Sequence, residues 1–80
     1  MAKINVTQVD IDNCDALSLD GNCVALAIKR IKRRDDVRVL AFTGLARIGK
    51  RKYELPEYAI NRLVLHAHRH KIEPFEFELN

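Results

Sequence analysis

Aromatic side chains are scarce in this sequence: there is no Trp, and Tyr and Phe together make up 6% of the residues. Single-strand recognition by stacking bases on successive rings is therefore weakly supported, with Tyr53 alone adjoining the basic stretch described below. Long apolar runs are missing too. After Lys3 the chain continues Ile4, Asn5, Val6, Thr7, Gln8, which is neither the core of a signal peptide nor a membrane span, so the expectation is a cytoplasmic protein with no membrane partner. Cysteine occurs twice, at Cys14 and Cys23, nine positions apart, a usage that favours reduced thiols acting as small buried hydrophobes over a disulfide scaffold. Only three Gly and two Pro punctuate the chain, and neither a low-complexity tract nor a repeat of 20 to 50 residues is found.

What is present is globular in kind. Hydrophobic residues make up 48% and charged residues 31%, too apolar for disorder. Residues 1–80 are expected to form a single domain, and a chain of this length buries only about 60 to 65% of its unfolded surface. Ile4 and Val6 alternate with polar residues, as do Val9 and Ile11, but the pairs are out of phase, which suggests one strand with a bulge near Thr7 and Gln8. Asp20-Gly21 between alternating apolar residues is a hairpin signal, because a type I′ turn needs positive φ at both central positions. Residues 23–34 fit two periods. Val24, Leu26 and Ile28 line a strand, while Val24, Ala27, Ile28 and Ile31 line a helix that Asp20 or Asn22 caps; the preceding turn favours the strand.

Residues 37–43 read as a buried strand closed by Gly44, and residues 45–52, with their bases and Gly49, as an exposed loop or arm. Pro56 opens a helix of about 56–71 whose Ile60, Leu63, Val64 and Ala67 face the core, and Pro74 ends it. Phe75, Phe77 and Leu79 alternate with Glu76 and Glu78 in a half-buried strand. The expected class is α+β: a small antiparallel or mixed sheet of four to five strands with one helix on one face. The alternative is a two-layer α/β arrangement with a second helix at about 22–34.

Charge is concentrated. Ten of the fourteen Lys and Arg residues lie between Lys29 and Lys52, against Asp35 and Asp36, so this stretch carries +8 while the chain as a whole carries +3. Within it Gly44 to Lys50 matches G-x-x-x-x-G-K and resembles the P-loop of nucleotide hydrolases over those seven positions. Arg51 stands where that family has the Ser or Thr that holds Mg²⁺, and the next helix signal waits until Pro56, so a glycine-kinked basic loop is expected instead. His66 and His70 share a helix face at a spacing compatible with zinc, and Cys14 and Cys23 complete a four-ligand set only if the fold brings them there. Read as ordinary helix-end histidines and buried thiols, they imply no metal and no cofactor. Nothing in the sequence sets a Cys beside an oriented His for nucleophilic catalysis, and no catalytic residues are assigned.

The sequence thus points to a small non-enzymatic binding protein whose basic face engages nucleic acid or a nucleoprotein. Lys29, Arg30, Lys32, Arg33, Arg34, Arg47, Lys50, Arg51 and Lys52 are the candidate contacts, each able to neutralise a phosphate and release a counterion. The alternative is a protein-protein interaction module. Such a compact inhibitor or adaptor, of the kind phages and mobile elements encode, would use the same face or an exposed strand edge against an acidic protein. Pairing of two copies into a homodimer is a further option for so short a chain.

Overall fold

A helix that the sequence left ambiguous occupies the centre of the molecule. The computed structural model describes residues 2–15, 17–41 and 43–79, and in it Cys23–Lys32 is helical (α2 in chain order), not a strand. Cys23, Val24, Ala25, Ala27 and Ile28 are all fully buried. The residue that decides the conformation is Asn22. Its side chain accepts from the Ala25 amide (2.8 Å) as the N-cap, filling one of the orphan donors at the helix start. Asn22 Nδ2 donates to the carbonyls of Ser18 (3.0 Å) and Val39 (3.1 Å). Gly21 is not among the positive-φ glycines, so Asp20-Gly21 leads into a helix cap and the expected type I′ hairpin does not form. Lys29, Arg30 and Lys32 in the last turn suit the negative end of the helix dipole, and Arg33, at φ 55, stops it.

Ahead of α2 stand β1 (Ala2–Val6) and α1 (Gln8–Asn13). The phase change between Ile4/Val6 and Val9/Ile11 marks a strand-to-helix boundary and not a bulge. Thr7 caps α1 in a reciprocal box: Asp10 N donates to Thr7 Oγ1 (3.3 Å) and Thr7 N donates to Asp10 Oδ2 (3.0 Å). After α2 come β2 (Val37–Leu40), β3 (Leu45–Ile48), β4 (Arg51–Glu54), α3 (Glu57–Ala67) and β5 (Phe75–Leu79). In place of the expected single sheet with one helix, the described residues form two antiparallel sheets, β1-β5 and β2-β3-β4, with three helices. Phe42, counted with β2 in the sequence reading, lies outside the described residues.

The terminal strand behaves as its alternation implies. Phe77 pairs with Ile4 and Phe75 with Val6, and Phe77, Leu79, Ile4 and Val6 are buried. Helix α2 lies against both β1 and β2, so it joins the two sheets into one core. Helix α3 is shorter than expected. The helix ends at Ala67, seven residues before Pro74, and Arg69, at φ 64, turns the chain away with His70 N donating to Leu65 O (2.9 Å). Of its expected core residues Leu63 is buried, together with Ala59, while Ile60, Val64 and Ala67 are half-buried.

Residues 45–52 form a hairpin and not a loop. Gly49 and Lys50 make its two-residue turn, with Gly49 at φ 59 as such turns require. At the other end of β3, Gly44 has φ 69, and a β-carbon there would lie 2.6 Å from Ile60 Cδ1. The outer edge of β2 is covered: Val39 N donates to Leu19 O (2.7 Å) and Val39 O accepts from Asn22.

Replacing Asn22 with Ala removes the cap and leaves the Ala25 amide and the Val39 carbonyl buried without that partner. A loss of about 2 to 4 kcal/mol is expected from urea unfolding. A change below about 0.5 kcal/mol, the range of surface substitutions, would mean that the junction of α2 and β2 is held elsewhere.

Candidate functional site

The hairpin register brings bases together in a way their spacing in the sequence conceals. Arg38 on β2 pairs with Arg47 on β3, and Arg47 pairs with Lys52 on β4, so three cations lie abreast across the sheet. All three are exposed, while Val37, Val39, Ala46 and Ile48 point the other way into the core. Among the described residues none of the three makes an ion pair within 4.0 Å. Directly opposed like charges destabilise a strand pair by a few tenths of a kcal/mol to about 1 kcal/mol. Arg38 was missed in the sequence reading because its place in the row depends on a register that no local pattern announces.

Bases also collect behind the hairpin. Lys32 and Arg34, from the end of α2, line a surface cleft of about 470 Å³ with Lys50, Arg51, Ile48 and Tyr53. Of the clusters 29–34 and 47–52, the cleft brings together Lys32 and Arg34 with Lys50 and Arg51, while Arg47 and Lys52 look out from the opposite face of the sheet. The remaining candidates are placed differently. Arg30 donates through Nη2 to Asn5 O (2.7 Å) and to the buried Asp10 carboxylate (3.0 Å), tying β1 and α1 to α2, and is committed to structure. Arg33 is exposed at the helix stop, and Lys29 is half-buried.

Arg34 grips Asp36 through two hydrogen bonds, 2.8 and 2.6 Å, which hold the Asp36 carboxyl below its usual range and raise the guanidinium. A side chain at Gly49 would meet this pair, with a β-carbon 2.9 Å from Asp36 Oδ2. On the Arg38 side a cleft of about 400 Å³ is lined by Asp20, Asp35 and Asp36 with Arg38 and Arg47. Asp20 is held below its usual range first by the Ser18 hydroxyl, then by its own backbone N–H and the charges of Lys29 and Arg38. Acids thus temper the row at its Arg38 end. The segment Gly44 to Lys50, which resembles a P-loop in sequence, is mostly β3 here, and β4 follows it instead of a helix, so no helix N-terminus faces a phosphate.

A second constellation joins residues far apart in the chain. Cys14 Sγ lies 3.5 Å from His66 Nδ1, and with Cys23 the three potential ligand atoms lie within 4.8 Å of one another. Cys14 is the C-cap of α1, Cys23 the first residue of α2, and His66 sits in the last turn of α3. His70 does not share a helix face with His66 as the sequence spacing suggested, because α3 ends at Ala67 and the chain turns at Arg69. Burial pushes the Cys23 thiol up to about 12 and also raises that of Cys14, the reverse of what activates a nucleophilic cysteine. Among the described residues no carboxylate hydrogen-bonds the His66 ring, so a base–orienter pair is not assembled.

Compared with protein-family models, with curated proteins and with solved structures, the chain matches none. Its chemistry is therefore read from its own side chains.

Alkylation should expose the difference between the thiols. In the native, metal-free protein at pH 8, iodoacetamide is expected to modify both cysteines more slowly than a free thiol, and Cys23 more slowly than half-buried Cys14, as read by mass spectrometry. Raising the pH toward the folded value of about 12 should accelerate Cys23 well past pH 9, where an unperturbed thiol is already largely ionised. Rapid modification of Cys23 at pH 8 would contradict its placement at the start of α2.

Proposed function

We propose that the protein is a non-enzymatic binder of the nucleic-acid phosphate backbone, free or within a nucleoprotein, which it contacts with the basic hairpin β3-β4 and its neighbour β2. The observation that carries this reading is the abreast row Arg38, Arg47 and Lys52. Such a row costs folding free energy, and a polyanion laid across it converts the repulsion into attraction while releasing its own counterions. Lys32, Lys50 and Arg51 extend the positive surface around the hairpin tip, and Tyr53 gives the cleft between them one ring. Backbone contact accounts for affinity without reading sequence. Arg30 and Arg34 contribute less than their charge suggests, since each already holds a carboxylate.

Duplex binding followed by fluorescence anisotropy tests this. With several phosphates neutralised, the logarithm of the association constant should fall against the logarithm of salt concentration with a slope of about −3 to −5. The triple variant Arg38→Ala, Arg47→Ala, Lys52→Ala should keep its fold, weaken binding and reduce the slope by about 2 to 3. Unchanged affinity in that variant would sink the reading. Absence of any binding at low salt would shift it to the alternative expected from sequence, an acidic protein partner on the same face.

A further inference from the structure

We infer that Cys14, Cys23 and His66 form a binding site for Zn²⁺, with two thiolates and one imidazole as ligands and the fourth position facing solvent. The three side chains converge on one point from α1, α2 and α3. Their chemistry selects the ion: Ca²⁺ and Mg²⁺ demand oxygen ligands, whereas sulfur and imidazole together suit zinc. Tetrahedral zinc, with Zn–S of about 2.3 Å and Zn–N of about 2.0 to 2.1 Å, sets sulfur and nitrogen about 3.5 Å apart and two sulfurs about 3.8 Å apart. The observed Cys14 Sγ to His66 Nδ1 distance is 3.5 Å. The widest separation in the set is within 4.8 Å, so the remaining closure is about 1.3 Å at most.

Charge balance favours the same ion. Cys23 is fully buried, and a lone thiolate there would be uncompensated, but Zn²⁺ with two thiolates is neutral overall. Binding is written as Zn²⁺ replacing two thiol protons, which pass to solvent, with Nδ1 of neutral His66 supplying its lone pair; nothing is oxidised or reduced. His66 also lines a cleft of about 440 Å³ with Asp12, Arg69 and His70, which brings solvent to the imidazole side of the site, where a water would be the fourth ligand. A Cys14 to Cys23 disulfide would use the sulfurs but leave the imidazole without a role. In a domain this short, a metal that clamps three helices also supplies the kind of staple that small cores lack.

The experiment uses the full chain, purified with a non-thiol reductant, stripped with chelator and titrated with Co²⁺ and then Zn²⁺. Expected are one Co²⁺ per chain, the intense visible bands of a tetrahedral site with thiolate-to-cobalt charge transfer in the near ultraviolet, and their loss when Zn²⁺ displaces cobalt. Zinc should also protect both cysteines from alkylation and raise Tm. Cys14→Ser and His66→Gln lie at half-exposed positions and should keep the circular dichroism of the parent chain while weakening metal binding by about 100-fold or more, the upper end of what even outer partners cost. Weak octahedral cobalt bands, undiminished affinity in folded Cys14→Ser, or a reduced wild-type chain that takes up no zinc at micromolar concentration and instead oxidises to the disulfide would each overturn the assignment.

Discussion

The structure depends on one buried amide. Asn22 is 3% exposed and links the start of α2, the preceding loop and the edge of β2 through three hydrogen bonds. A Leu or Ala of similar burial would leave each of those backbone groups without its partner, at a cost of about 1 to 3 kcal/mol apiece. Because α2 packs on both β1 and β2, fixing its first turn against β2 also helps fix how the β2-β3-β4 sheet sits on the β1-β5 pair. Two-stranded β1-β5 would be marginal alone, and it is the apolar face of α2 that makes it part of a core.

The distribution of acids decides which bases are held in ion pairs. Asp10, nearly buried, takes Arg30 and the α1 cap at once, and Asp36 takes Arg34. Both pairs hold elements together where the chain changes direction: Arg30 reaches from α2 to β1 and α1, and Arg34 with Asp36 braces the tight approach of Gly49. Among the described residues the cations on the hairpin and β2 have no such carboxylate within 4.0 Å, and neither do Lys32 and Arg33. A count of charges along the sequence cannot make this division, since Arg30 and Arg33 look alike there and only the first has a buried partner.

Local patterns carried the sequence reading where one face of one element was enough. The alternation Phe75, Phe77, Leu79 identified β5, and the spacing of Leu63 within 56–71 identified α3, because burial of a single stripe leaves its period in the chain. It failed where two local preferences competed. Asp20-Gly21 favoured a turn and Asn22 a helix cap, and the outcome was set by Asn22, whose side chain holds the nearby Ser18 carbonyl and also that of Val39, 17 residues on, a contact that no short window contains. Thr7 and Asp10 do carry the helix signature of a capping box, yet the period-two alternation on either side outweighed it. The candidate sites were legible only as compositions: the basic stretch was visible, but the row through Arg38 required register, and Cys14 and His66 are 52 residues apart.

Salt acts on the basic row in two opposing ways, and the opposition separates a binding surface from a merely solvated one. Repulsion between Arg38, Arg47 and Lys52 in the free protein is screened within a Debye length of about 8 Å at physiological ionic strength, so added salt relieves strain in the sheet. The same salt removes the entropic gain of counterion release and weakens any bound polyanion. A protein of this length has a total stability of roughly 4 to 12 kcal/mol, against which two opposed like-charge pairs costing up to about 1 kcal/mol each are not negligible. Replacing Arg47, the member common to both pairs, with Glu or Thr would remove the cost without disturbing Val37, Val39, Ala46 or Ile48 on the buried face. Retaining three cations abreast makes physical sense where the bound state, and not the free fold, sets the charge.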